Sequence, residues 1–301
     1  MALMSRAVRE TVQTIAVIVV VLVLIAAYVV YPLVKTKALM ARPDIDSFKQ
    51  DSIPLNDPAV FVQAGLTVDT FRFEADGLTK LACIRVLPRS QPDMAVRGLA
   101  ILLHREGLDR TSLLDPAKAL VDSGVEVIVY DQRASGLSGG KYHSDGQLEA
   151  IDLEALIGYL EIQGKLHHPL AVVGWGIGGD AALMASAEES RINQVIAIEP
   201  YLTTERMLQH ALDKNFISWL PLKKTIFWWW YKIRSGYAVT NRTEENLTPV
   251  SGRTVIGLPA NRMNEPEIRK LTSISSAELL TVAPVEQVEP VRWVTGYKAQ
   301  K

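Results

Sequence analysis

Between Leu170 and Ala182 the chain reads LAVVGWGIGGDAA: a strand-forming run meets a glycine cluster, and a helix-forming stretch follows. Two kinds of chemistry use that arrangement. Gly174, Gly176 and Gly179 fit G-x-G-x-x-G, where a tight turn aims backbone amides and a helix N-terminus at a pyrophosphate. In that case Glu199, at the end of the next apolar run, stands where an acid could bind a ribose hydroxyl. The same strand, turn and helix also fit the nucleophile elbow G-x-S-x-G, with Gly176 in the place of the attacking serine. A single substitution separates the two motifs, so the motif alone leaves both open.

Either chemistry needs a sheet to hold the turn. Gly98–Leu103, Glu126–Tyr130, Leu170–Val173, Gln194–Ile198 and Thr254–Gly257 are short apolar runs ended by polar residues or glycine. Continuous apolar strands of this kind belong to parallel sheets covered on both faces. Helical patterns lie between them. Leu113–Ser123 is one, and Leu153, Leu156, Ile157 and Leu160 keep the i, i+3, i+4, i+7 spacing of a buried helix face. Ala181–Ala187 is a helix of small residues that can approach a sheet closely. Ahead of these, Thr70–Glu74 and Lys80–Leu87 flank Ala75-Asp76-Gly77 as a β-hairpin. The alternation predicts an α/β, doubly wound architecture with a mostly parallel sheet.

Within roughly residues 68–290 the chain resembles the α/β-hydrolase family, especially its membrane-anchored serine hydrolase branch. Leu102-Leu103-His104-Arg105-Glu106-Gly107 looks like the strand-ending His-Gly loop that supplies one oxyanion amide, with Arg105 as a departure; Ile177, after the elbow, would supply the other. Asp131-Gln132-Arg133-Ala134-Ser135-Gly136-Leu137-Ser138-Gly139 is similar to the family's D-x-R-G-x-G-x-S-x-G turn, with Ala134 for a glycine. Asp152 begins the helix ahead of the elbow strand, and the elbow follows at the expected distance. A dinucleotide fingerprint normally opens its domain, whereas here two strands and the D-x-R turn come first.

The resemblance also implies a triad, and its three positions are empty. The nucleophile position is Gly176. The acid position, in Val255-Ile256-Gly257-Leu258-Pro259-Ala260-Asn261-Arg262, falls on Asn261, whose amide carries no charge to stabilise an imidazolium. The base position, after a last strand near Leu279–Val282, falls on Gln287, or on Glu286 with a one-residue slip. The five histidines are His104, His143, His167, His168 and His210, so none follows residue 210. Serine hydrolysis is therefore not expected. Asp180 reads as a charge at a helix N-terminus, His104 as a buried loop residue, and Cys83 as a small core residue. His167 and His168 are adjacent and share no face in a helix or strand, which gives metal ligation no support. No cofactor is expected.

From Thr14 to Val34 there is no charged residue, and 21 such positions at about 1.5 Å each cross a hydrocarbon core of roughly 30 Å. A cleaved signal peptide has a shorter apolar run and an A-x-A-like site, and Lys35 and Lys37 follow here instead. Residues 1–13 are then a tail, 14–34 a membrane anchor, 35–66 a linker or collar, and 67–301 the domain. Basic residues flank the span about equally, but a short tail before a large domain suits a domain outside the cytoplasm. A net charge of −1 excludes an electrostatic case for nucleic acid, and a single cysteine excludes an internal disulfide.

A helical insertion at about 202–250 holds Trp219, Trp228, Trp229, Trp230 and Tyr231 among lysines. Indoles and lysines together suit a membrane interface or a partner surface. Successive helical residues point about 100° apart, so three consecutive tryptophans cannot all face one core. The sequons at Asn241 and Asn246 carry little weight on their own. Taken together, the residues lead us to expect a non-catalytic, membrane-anchored domain acting as a structural or accessory subunit of a membrane complex. The alternatives are a ligand-binding module, in which Gly176 enlarges the vacant pocket, and a dinucleotide-binding enzyme using Gly174, Gly176 and Gly179.

Overall fold

Strands β3 (Leu99–Leu103), β4 (Glu126–Tyr130), β5 (Leu170–Trp175) and β6 (Gln194–Ile198) are buried at every residue. Because side chains alternate across a pleated strand, each strand feeds two cores. Leu99, Ile101, Leu103, Ile128, Tyr130, Leu170 and Val172 pack on one face, and Ala100, Leu102, Val127, Val129, Ala171 and Val173 on the other. The first face is covered by α4 (Gln147–Ile162) and α5 (Ile177–Glu188), and the second by α3 (Leu114–Asp122).

The computed structural model describes residues 6–40, 58–75, 77, 79–88, 96–140, 143–213, 225, 229, 253–263, 268–269, 278–281 and 294. Its eight-stranded sheet runs in the order β1-β2-β4-β3-β5-β6-β7-β8, with β1 Thr67–Glu74, β2 Lys80–Leu87, β7 Arg253–Leu258 and β8 Glu278–Thr281. β1 and β2 form the expected antiparallel hairpin, β2 pairs antiparallel with β4, and all later pairings are parallel. β3 sits between β4 and β5, so the connections leaving β3 and β5 diverge. A crevice opens at the carboxyl ends of the strands at such a switch point.

Two boundaries differ from the sequence reading. The core begins before residue 67, because the short helix α2 (Ala59–Gln63) buries Phe61 completely and Leu66 follows it inside. α4 begins at Gln147 rather than Asp152. Glu149 reaches back to accept from the amides of Ser144 (2.9 Å) and Gly146 (3.1 Å), which caps the helix a turn and a half earlier. Asp152 is thus inside the helix and fully buried.

The chain divides into two compact units, Met1–Met40 with Leu208–Val239, and Ala41–Met207 with Thr240–Lys301. In the first, helix α1 (Arg6–Met40) carries apolar residues exposed on every side, Val17, Leu22 and Leu24 among them. It is long and apolar enough to cross a membrane. Of the aromatic residues singled out, Trp229 is helical and 56% exposed, while Trp219, Trp228, Trp230 and Tyr231 lie outside the described residues. α6 (Thr204–Asp213) opens the insertion.

Candidate functional site

β5 passes into α5 through one residue. Gly176 has φ 55° and ψ −122°, a conformation that L side chains adopt only under strain. Its amide donates to Ile198 O (3.0 Å), and its carbonyl accepts from Gly179 N (2.9 Å), so the turn is pinned to β6 and to the first turn of α5. The neighbouring glycines let helix and strand touch. A Cβ on Gly174 would stand 2.0 Å from Gly178 O, and one on Gly178 2.7 Å from the carbonyls of Leu103 and His104. The sharp elbow is fully formed, with no side chain at its apex.

The space at that apex is taken. A Cβ at position 176 would stand 2.6 Å from Glu106 Oε2 and 3.1 Å from Arg105 Cγ. Glu106 Oε2 accepts from the Ile177 amide at 3.3 Å, and Oε1 accepts from the Tyr201 hydroxyl at 2.5 Å. The expectation that Gly176 enlarges a pocket is therefore corrected: the loop after β3 folds a carboxylate into the gap. Arg105 Nη2 pairs with Glu199 Oε2 at 2.5 Å. Arg105 Nε is buried without a hydrogen-bond partner among the described residues. Burial, followed by the charge of Glu106 and its hydrogen bond, pushes the Tyr201 hydroxyl's pKa up, so Tyr201 stays a donor.

Other residues singled out in the sequence have structural employment. His104 is buried; its Nε2 accepts from Gln132 N (3.0 Å) and its Nδ1 lies 2.8 Å from Arg105 O. Both ring nitrogens are engaged, and burial lowers its pKa, so it is held neutral and is no base for the elbow. Glu199 does not stand free for a ribose. It pairs with Arg105, and the carboxylate of Glu106 sits at the α5 N-terminus, where a pyrophosphate would need positive potential. Asn261 lies in a short 3-10 turn after β7, exposed. Gln287 and Glu286 lie outside the described residues. The expected Ile177 amide is at the elbow, directed at Glu106. Cys83 is buried in the core, and Ala134 holds φ 55° in the D-x-R turn where the family pattern has glycine.

Sequence reasoning missed Glu106 and Tyr201. The only local signal was an acidic residue in the His-Gly loop, and nothing nearby in the chain shows that it crosses to residue 177.

Asp180 is more than a charge at a helix terminus. Its carboxylate is buried and accepts from Tyr201 N (2.9 Å) and Leu202 N (2.7 Å), fixing the segment that leads into α6. Burial pushes its pKa from the ordinary 3.8 up to about 7, against the pull of those two amides. Nearby Asp145, bonded to the Thr204 hydroxyl, is pushed up by burial as well. A carboxyl raised in the folded state favours folding while protonated in both states, below pH 4, and loses that contribution as pH rises to about 7. At about 1.4 kcal/mol per unit, this difference is on the order of 4 kcal/mol. Stability should therefore decline from pH 4 to 7, and Asp180→Asn should flatten the slope in pH-dependent urea unfolding. An unchanged slope in the variant would assign the decline to other groups.

No protein-family model matches the sequence, and no curated protein does. Solved structures do. An esterase of Pyrococcus furiosus, Pf2001, is 19% identical, with a TM-score of 0.63 over 85% of this chain and 95% of its own. The α/β hydrolase GrgF from a Penicillium species is 17% identical, with a TM-score of 0.51 over 72% of this chain and 91% of its own. The 2,6-dihydroxy-pseudo-oxynicotine hydrolase is 14% identical, with a TM-score of 0.56 over 74% of this chain and 64% of its own. At these identities the likeness is one of fold. The strand order, the elbow between β5 and α5 and these neighbours together give the chain the α/β-hydrolase fold.

Proposed function

We propose that this is a non-catalytic α/β-hydrolase-fold protein, anchored by α1 in a membrane, that serves as a structural or accessory subunit of a membrane complex. One observation carries the reading. The elbow has no nucleophile, and Glu106 from the chain itself holds both the amide and the space that an ester carbonyl would need. A negative charge at an oxyanion position opposes the charge that develops in acyl transfer. The acid position read from the family pattern, Asn261, supplies no charge, and the base position, Gln287 or Glu286 with a one-residue slip, supplies no histidine. Support for anchoring comes from α1. Exposed Trp229 supports a contact role for the insertion. A fold fixes no chemistry by itself, and a rigid body of this size is a sufficient docking platform.

Two measurements test the reading. The full-length chain, extracted in mild detergent from its own membrane, should show ester hydrolysis no faster than a protein-free control across short and long acyl chains. Gly176→Ser should be as silent, and less stable, since the new side chain meets Glu106 at a positive φ. Turnover by the native chain would end the non-catalytic reading. Native mass analysis of the same extract should show a fixed-stoichiometry assembly with other membrane proteins; a lone monomer would end the subunit reading.

A further inference from the structure

Glu106 is held as a bound ligand would be held. Its carboxylate receives the Ile177 amide on one oxygen and the Tyr201 hydroxyl on the other. Those donors come from separate elements, the first turn of α5 and the segment after β6, and the Arg105 side chain lies against the same position 176. For Arg105, burial works against the charge, while Glu199 and then Glu106 outweigh it. We propose that the elbow is a carboxylate-binding site whose resident ligand is the chain's own Glu106, and that it takes a small free carboxylate when that side chain is withdrawn.

Chemistry at the site selects this ligand class. With Glu106 in place, the cluster holds one cation, Arg105, and two carboxylates, Glu106 and Glu199. A second anion has no place beside them. Without Glu106 the count is one and one, and the Ile177 amide and Tyr201 hydroxyl each lose the carboxylate oxygen they bond. A pyrophosphate carries more charge than these groups can balance. Tyr201 bonds Glu106 through its hydroxyl and Asp180 through its amide, three residues before α6 begins.

The test is thermal unfolding of the full-length chain in mild detergent. Glu106→Ala should lower Tm by several degrees. Sodium formate or acetate should then raise the variant's Tm by several degrees over sodium chloride at matched ionic strength, since a ligand that binds only the folded state stabilises it. The native chain, its site already filled, should respond equally to all three salts. A variant with unchanged Tm, or one that responds to the carboxylates no more than the native chain does, overturns the proposal. If Glu106→Ala does not fold, a cycle of Glu106→Gln, Tyr201→Phe and the double variant replaces it; the two effects should be non-additive, and additivity overturns the proposal. The proposal rests on the same elbow geometry as the non-catalytic reading, but no readout here depends on ester turnover. Each can therefore fail without the other.

Discussion

Gly174→Ala is expected to remove most of the folded population, with a loss on the order of 4–5 kcal/mol. The added methyl would stand 2.0 Å from Gly178 O, 2.3 Å from Gly178 C and 2.6 Å from Gly179 N. All three are backbone atoms in the first turn of α5, so no side chain can swing aside. Relief requires moving α5 off β5, yet Gly178 already approaches the carbonyls of Leu103 and His104. A close-packed interior gives little room for such a shift. Against a typical total of about 5–15 kcal/mol, a loss of that size is close to unfolding. Gly158→Ala in α4 is the matched control. No atom lies within 4 Å of its Cβ position, and replacing a mid-helix glycine should add roughly 0.5–1 kcal/mol. Urea midpoints that move equally for the two variants would refute the steric account.

Asp152→Ala should cost about 3–5 kcal/mol. Arg133 Nε and Nη2 donate to the two oxygens of Asp152 at 2.8 and 2.6 Å, and both side chains are buried. The pair ties the D-x-R turn after β4 to α4, the helix that leads into β5 and the elbow. Removing the carboxylate leaves the Arg133 guanidinium in the interior without its bidentate partner. Two charges out of water gain little net stability, so the asymmetry is the diagnostic. The double variant Arg133→Met with Asp152→Leu should lose less than Asp152→Ala alone. A double variant that loses the sum of both single costs would show that the pair is not a closed ionic unit.

The elements of the sheet were legible because each inner strand is a run of five or six residues buried on both faces, a local signal. Glycine spacing at 174–179 disclosed the turn but not its chemistry, since a pyrophosphate loop and an elbow share it. The start of α4 was misplaced because its cap is made by Ser144 and Glu149, polar residues that precede or interrupt the apolar pattern. The first core residue, Phe61, was missed because it sits in a five-residue helix too short to show a period.

Asp180 shows the same division at one residue. Its place in the first turn of a helix is a matter of sequence, and the favourable helix dipole follows from that alone. Its burial follows from the segment 201–202 folding over it, and that burial, ahead of the charge of Asp145, raises its pKa.

Determined by the sequence alone are the absence of a nucleophile at Gly176, the lack of any histidine after residue 210 and an apolar run long enough to span a membrane. Each depends only on which residues stand at given positions along the chain. The tertiary structure alone decided what fills the vacated elbow. Glu106, Ile177 and Tyr201 are 71 and 24 residues apart along the chain, and the carboxyl ends of β3, β5 and β6 bring them together. A hydrogen bond between such partners is a property of the path of the chain in space, and no local pattern of residues encodes it.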